Sequence, residues 1–241
     1  MASAAVPDAR YGADGVYCSL CPPAPVVSDL GLSLTDPLLR HADACPSALT
    51  LADAAPGGRT LTFAELCSTD LTTAVTLSSR AGVRPVDAIL ILAPNSVLYP
   101  LCFFAITALG TVSTTANPDY TPREITKQVS DARAKLVITV STLVPKIAGL
   151  RLPVILLDDD AKAAASSLPP DATVTLYTNL IAGVKETEYR RPPIKQSDTA
   201  ALLSTPPSRS GVAPSSTGAL PITPFDMSAR HCQLAPRAQR I

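Results

Sequence analysis

Nowhere does the chain place two glycines one residue apart, and no Gly-x-x-x-x-Gly-Lys occurs, so the dinucleotide fingerprint and the Walker loop are both missing. A Gly-x-Ser-x-Gly elbow is missing too. The two histidines, His41 and His231, stand alone, which leaves a serine or cysteine hydrolase without a base in a recognisable setting. Charge of one sign is also lacking: 20 basic and 20 acidic residues cancel, and no Lys/Arg cluster marks a nucleic-acid or anionic-membrane surface. The apolar run from Val97 to Leu109 is too short to span a bilayer, so no transmembrane segment is expected. The first ten residues have neither a basic flank nor an apolar segment. That pattern predicts no secretory signal, a cytoplasmic protein, and six reduced cysteines without disulfides.

What is present is a chain of 241 residues, 46% hydrophobic and 17% charged, enough for a sizeable core in one large domain or two small ones. Residues 88–157 organise it, reading as strand, helix, helix, strand, helix and strand. Ala88 to Ala93 is a continuous apolar run closed by Pro94-Asn95-Ser96, the pattern of a strand covered on both faces in a parallel sheet. Val97 to Leu109, stopped by Gly110, predicts a buried helix. Thr121-Pro122-Arg123-Glu124 predicts a capped helix start, with Ile125, Val129 and Ala132 on the covered face. Lys135 to Val140 and Pro153 to Leu157 supply two further strands, and all three apolar strands are expected to be mutually parallel, because their connections are of crossover length.

Earlier in the chain, Leu49–Ala52 and Arg59–Thr62 flank Pro56-Gly57-Gly58 as a hairpin. A second capping box, Thr62-Phe63-Ala64-Glu65, then starts a helix whose core face carries Phe63, Leu66, Leu71, Ala74, Val75 and Leu77. Ser33 to Ala42 predicts a short helix, Ala172 to Tyr177 a short strand, and Asp198 to Leu203 one more buried strand. Residues 1–28, with Pro22, Pro23 and Pro25, read as an arm; residues 29–203 form the folded part; residues 204–241, with six prolines and no lysine, read as a disordered tail.

Three features could carry chemistry. Cys18-Ser19-Leu20-Cys21 is half a zinc site, but no second pair follows at finger spacing, which favours ordinary packing. His41 has no carboxylate or cysteine beside it in sequence and reads as a surface or satisfied residue. Asp158-Asp159-Asp160 lies just past a strand's carboxyl end, where α/β proteins bind ligands, yet three adjacent carboxylates point in alternating directions and read as a solvated turn rather than a metal site.

A resemblance reaches further. Ile89 to Ser96, Ala108-Leu109-Gly110 through Asn117-Pro118-Asp119-Tyr120-Thr121-Pro122-Arg123-Glu124-Ile125, and Ala134 to Thr139 resemble the N-terminal domain of plant 4-coumarate:CoA ligases and their relatives among adenylate-forming enzymes. It runs from about Asp14 to Leu203. It implies an α/β fold, a parallel sheet layered with helices like the first subdomain of that large N-terminal domain. Val86 stands where the family usually has glycine before the aspartate, here Asp87, a departure taken as minor and local. The family activates a carboxylic acid, such as 4-coumarate, a related phenylpropanoid or a fatty acid, with ATP and magnesium to an acyl-adenylate, and then transfers the acyl group to CoA. The resemblance places a Ser/Thr/Gly-rich loop ending in lysine directly after the strand that here ends at Leu203.

This chain instead continues with Ser204-Thr205-Pro206-Pro207, where the prolines remove donors and fix φ, and no lysine follows. The family's remaining motifs, which lie beyond this point, have no counterpart. The expectation is therefore a truncated, inactive ligase-like chain with no catalytic, ATP-binding or metal residue and no cofactor of its own. Its tail would be non-family sequence, and it has no Ser-Lys-Leu-type peroxisomal ending, a signal that an intact relative could carry. Two other readings stay open. One is a non-catalytic module that pairs with a full-length ligase through sheet edges left exposed. The other is an enzyme with an unrecognised site, against which the lack of clustered His, Cys and carboxylates argues.

Overall fold

The computed structural model describes residues 31–160, 166–170 and 172–203, together with the backbone alone of 218–221. The first elements are α1 (Asp36–Ala44), an antiparallel hairpin of β1 (Leu49–Ala52) and β2 (Thr60–Thr62), and α2 (Phe63–Ser79). The hairpin turns through Gly57 at φ 71°, a conformation that glycine adopts without strain. The predicted capping box starts α2: the Thr62 N–H donates to Glu65 Oε2 at 2.8 Å and the Glu65 N–H to Thr62 Oγ1 at 3.3 Å.

The second part is a seven-stranded sheet built from β3 (Ala88–Leu92), β4 (Val112–Thr115), β5 (Ala134–Thr139), β6 (Val154–Leu156), β7 (Val174–Leu176), β8 (Thr199–Leu203) and β9 (Gly218–Pro221). Its order is β7-β6-β5-β3-β4-β8-β9. The first six of these strands pair in parallel and β9 lies antiparallel on β8. Between β3 and β4 runs α3 (Leu98–Ala108), between β4 and β5 runs α4 (Pro122–Ala132), and after β7 comes a short α5 (Tyr177–Ile181). The α4 start repeats the capping box, Thr121 N–H to Glu124 Oε2 at 2.8 Å, with Pro122 in the first turn.

The pleat sorts the core into two layers. Ile89, Ile91, Leu136, Ile138 and Ile155 face α2, α3 and α5, while Leu90, Leu92, Val137, Val154 and Leu156 face α4 and the segment after β5. Ile89, Leu90, Ile91 and Leu92 are all 0% exposed, and burying each such side chain contributes about 1.5–3 kcal/mol before the entropy cost of ordering it. Burial on alternate sides of one strand is why the 88–93 run shows no polar interruption.

Several expectations are corrected here. The polar stretch Val112-Ser113-Thr114-Thr115 is a central strand, absent from the sequence reading because that reading looked for apolar runs. The helix expected between β5 and β6 is a pair of 3-10 turns, Ser141–Lys146 and Ala148–Leu150; Pro145 lies inside the first and cannot supply an α-helical N–H. Residues 218–221 form a strand within a tail expected to have no regular structure, because they can pair with the open edge of β8; the rest of the tail lies outside the described residues. That strand covers the β8 edge, so one of the sheet edges expected to be exposed is not. Cys45 is disulfide-bonded, contrary to the expectation of six reduced thiols. Cys45 sits half-buried just past α1, whereas Cys67 and Cys102 are free and buried in the core.

Candidate site at the carboxyl edge of the sheet

The chain leaves β3 toward β4 on one side and leaves β5 toward β6 on the other. The crevice between two such diverging exits is where open α/β sheets bind ligands. Three turns form it: Ala93 to Ser96 after β3, Ala116 to Tyr120 after β4, and Ser141 after β5. A cleft of about 350 Å³ lies beside it over the β3 and β4 ends, lined in part by Asn95, Tyr99, Thr115 and Asn117. Among the described residues its lining carries no charged side chain.

The stronger polar groups nearby are already committed to the fold. Thr139 Oγ1 donates to the Leu92 carbonyl at 2.7 Å, tying β5 to β3 at the crevice. Asp158, after β6, accepts from the Ser141 N–H at 3.0 Å and from Ser141 Oγ at 2.7 Å. It therefore caps the 3-10 turn that follows β5. Asp159 accepts from Thr178 Oγ1 at 3.0 Å. The Lys146 ammonium donates to the carbonyls of Pro118 and Tyr120, which holds the turn after β4. Asn117 Oδ1 accepts from the Asp119 N–H at 2.9 Å in the same turn.

Among the described residues no group of three or more His, Cys, Asp or Glu side chains is arranged to hold a metal ion. The structure thus does not gather the 158–160 carboxylates into a site; two of them bond to different elements. His41 is 9% exposed and packs edge-on against Phe63, ring centroids 4.5 Å apart, as a core residue. Cys18, Cys21 and His231 lie outside the described residues, as does the segment after Leu203 up to Gly218. Among the described residues no helix is long and apolar enough to cross a membrane.

The sequence reading missed one buried acid. The core face of α2 runs through Phe63, Leu66, Cys67, Asp70, Thr73, Ala74 and Leu77, while Leu71 and Val75, expected on that face, are only half-buried. Asp70 lies seven residues past Phe63, two full turns on the same stripe, and that spacing could have placed it in the core. Burial pushes its carboxyl well above the ordinary range, and burial also pushes the Cys102 thiol up to about 12. Cys67 is likewise pushed up to about 12 by burial, then by Asp70 and Asp43. Neither thiol is therefore a nucleophile at neutral pH.

The AMP-binding enzyme family matches residues 38–205. Among curated proteins, the chain is 38% identical over 153 residues to "Probable CoA ligase CCL5" of Humulus lupulus, covering 61% of this chain and 26% of that protein. It is 38% identical over 148 residues to "4-coumarate--CoA ligase 4" of Arabidopsis thaliana, covering 60% of this chain and 25% of that protein. The chain thus spans about a quarter of the length of these relatives. Among solved structures, the anthranilate CoA ligase AuaEII in complex with anthranoyl-AMP superposes with a TM-score of 0.59 at 20% identity, over 72% of this chain and 31% of that one, a likeness of fold.

Proposed function

This chain belongs to the AMP-binding enzyme family, and from that premise we propose that it is the N-terminal scaffold layer of an acid:CoA ligase of the 4-coumarate:CoA ligase kind and forms no acyl-adenylate by itself. The observation that carries the proposal is where the family match ends, at residue 205, two residues past β8. From there to Ile241 the sequence has Pro206 and Pro207 in succession and no lysine.

Adenylate formation joins a carboxylate oxygen to the α-phosphorus of ATP and expels pyrophosphate; transfer to CoA then releases AMP. The leaving pyrophosphate gathers negative charge, which N–H donors, a cationic side chain and magnesium must offset. The described residues at the carboxyl edge do not fit that demand. Lys146 holds two carbonyls of the turn after β4 and Asp158 holds the start of the turn after β5, so both are engaged in positioning turns. What this layer does supply is a rigid parallel sheet whose edge holds the 93–96 and 116–120 turns in place.

Pyrophosphate exchange tests the proposal. The purified 241-residue chain, offered 4-coumarate or a fatty acid with ATP and magnesium, should give no acid-dependent exchange, while an intact ligase gives a strong signal. Exchange above background would overturn it. Pairing with a full-length ligase is the second reading, favoured by the outer edge of β7, which has no partner strand among the described residues. Co-purification with the intact enzyme, lost when a proline replaces Val174, whose N–H faces the open edge because Thr173 on the alternate side accepts from the Val154 N–H, would support it.

A further inference from the structure

We propose that Asp70 is a proton-holding switch in the core: its carboxyl stays protonated while α2, α3 and α5 are packed together, so assembling this layer takes up a proton and losing the proton loosens it. The side chain is 0% exposed, and among the described residues neither Oδ1 nor Oδ2 has a hydrogen-bond partner. An ionised carboxylate so placed would be cut off from bulk solvent, with no donor or cation on it among the described residues, which a folded core does not tolerate. A protonated one loses far less.

The titratable groups on the elements packed around Asp70 are thiols and phenols, with the carboxylates Asp43 and Asp36 of α1 acting on Cys67 and Tyr189. Cys67 lies on α2 itself, Cys102 on α3 and Tyr177 on α5, and Tyr189 follows in the next segment; each is pushed upward first by burial. The Tyr177 hydroxyl is engaged by Thr73 Oγ1 at 2.7 Å, and the Tyr189 hydroxyl donates to the Ala108 carbonyl at 2.7 Å. Neither turns to Asp70. Arg59 acts on Tyr177 and Arg191 on Tyr189, but among the described residues no cation acts on Asp70, whose upward shift comes from burial.

The direction of the pH effect follows. Because the folded value is raised above the unfolded one, the folded state holds the extra proton between the two. The stability tied to it is fully present below the unfolded carboxylate range, about pH 4, and is lost as pH rises through the folded value, by up to tenfold in the folding equilibrium per pH unit. Asp36, Glu65 and Glu124 have lowered values and act in the opposite sense, but their effect is confined to acid. From pH 5 upward Asp70 therefore sets a downward slope that these three do not offset.

Urea unfolding of the full chain and of Asp70→Asn between pH 5 and pH 8 tests this. The wild type should lose up to tenfold in its folding equilibrium per pH unit over part of that range, and the variant should lack that component. Superposable slopes would overturn the proposal. If Asp70→Asn does not fold, infrared spectroscopy of the folded wild type at neutral pH decides: a protonated-carboxyl band supports the switch, and its absence overturns it.

Discussion

Replacing Val86 with glycine should stabilise the fold, although the substitution removes a hydrophobic side chain. Val86 has φ 67°, in the left-handed region, which a β-branched residue enters at a cost of about 1–2 kcal/mol. The site demands that conformation: the Val86 N–H donates to the Gly110 carbonyl at 2.9 Å, and the chain then turns directly into β3. Packing gives little in return, because the side chain is 83% exposed. Glycine relieves the strain but frees the unfolded chain, which takes back about 0.4–1 kcal/mol. The net expectation is a gain of about 0.5–1 kcal/mol, or roughly 1–4 °C in Tm for a domain of this size. Urea unfolding monitored by circular dichroism measures it, with Val86→Ala as control, since alanine keeps a Cβ in the same region and should gain less. A Val86→Gly midpoint at or below that of the wild type, with unchanged m-value, would refute the strain argument. The glycine typical of the family at this position is then explained by backbone conformation, and the departure at Val86 is not minor.

Three further outcomes are expected. Thr121→Ala should cost about 1 kcal/mol in urea unfolding, because it removes the hydroxyl that accepts the Glu124 N–H at the start of α4. Burial raises the Asp36 carboxyl, but bonds from Arg191 and Ser33 outweigh it and leave the value lowered; its stability contribution is thus present above the unfolded carboxylate range and lost as pH falls through the folded value, so Asp36→Asn should flatten the acid limb of the stability curve. Cys67 and Cys102 should resist a thiol reagent at pH 7.5 until the chain is unfolded, as mass spectrometry of the labelled native protein would register.

Legibility in the sequence followed the chemistry of each element. Strands β3, β5 and β6 were readable because both of their faces are apolar, and α2 and α4 because Thr62/Glu65 and Thr121/Glu124 announce their first turns. Strand β4 was not readable. Its Ser113 and Thr114 are buried hydroxyls, and Gln128 of α4 descends onto it, donating to Thr114 Oγ1 at 2.8 Å and to the Thr115 carbonyl at 2.9 Å. A polar strand paired with a polar helix residue is a tertiary solution that no apolar periodicity betrays. Asp70 was hidden for the opposite reason: the stripe predicted its place, but its charge argued against burial. At the site, the strand ends were legible, whereas the commitment of Asp158 to Ser141 joins residues 17 apart in sequence and could be seen only after folding.

That commitment bears on what the layer can contribute to catalysis. A polar group that caps a turn is oriented by its bond, and withdrawing it to serve a substrate would leave the Ser141 N–H or the Pro118 and Tyr120 carbonyls without partners, at about 1–3 kcal/mol for each buried group. A triphosphate would have to supply more than that for each group recruited. The groups not so bound around the cleft, among them the Tyr99 and Thr115 hydroxyls, are neutral and can orient a ligand but cannot balance several negative charges. On the proposed reading, the donors and cations for phosphate chemistry come from residues beyond β8, where the sequence has two adjacent prolines and no lysine. If the layer is a scaffold as proposed, grafting a donor-bearing, lysine-ended loop in place of residues 204–217 onto the 241-residue chain should by itself give no pyrophosphate exchange.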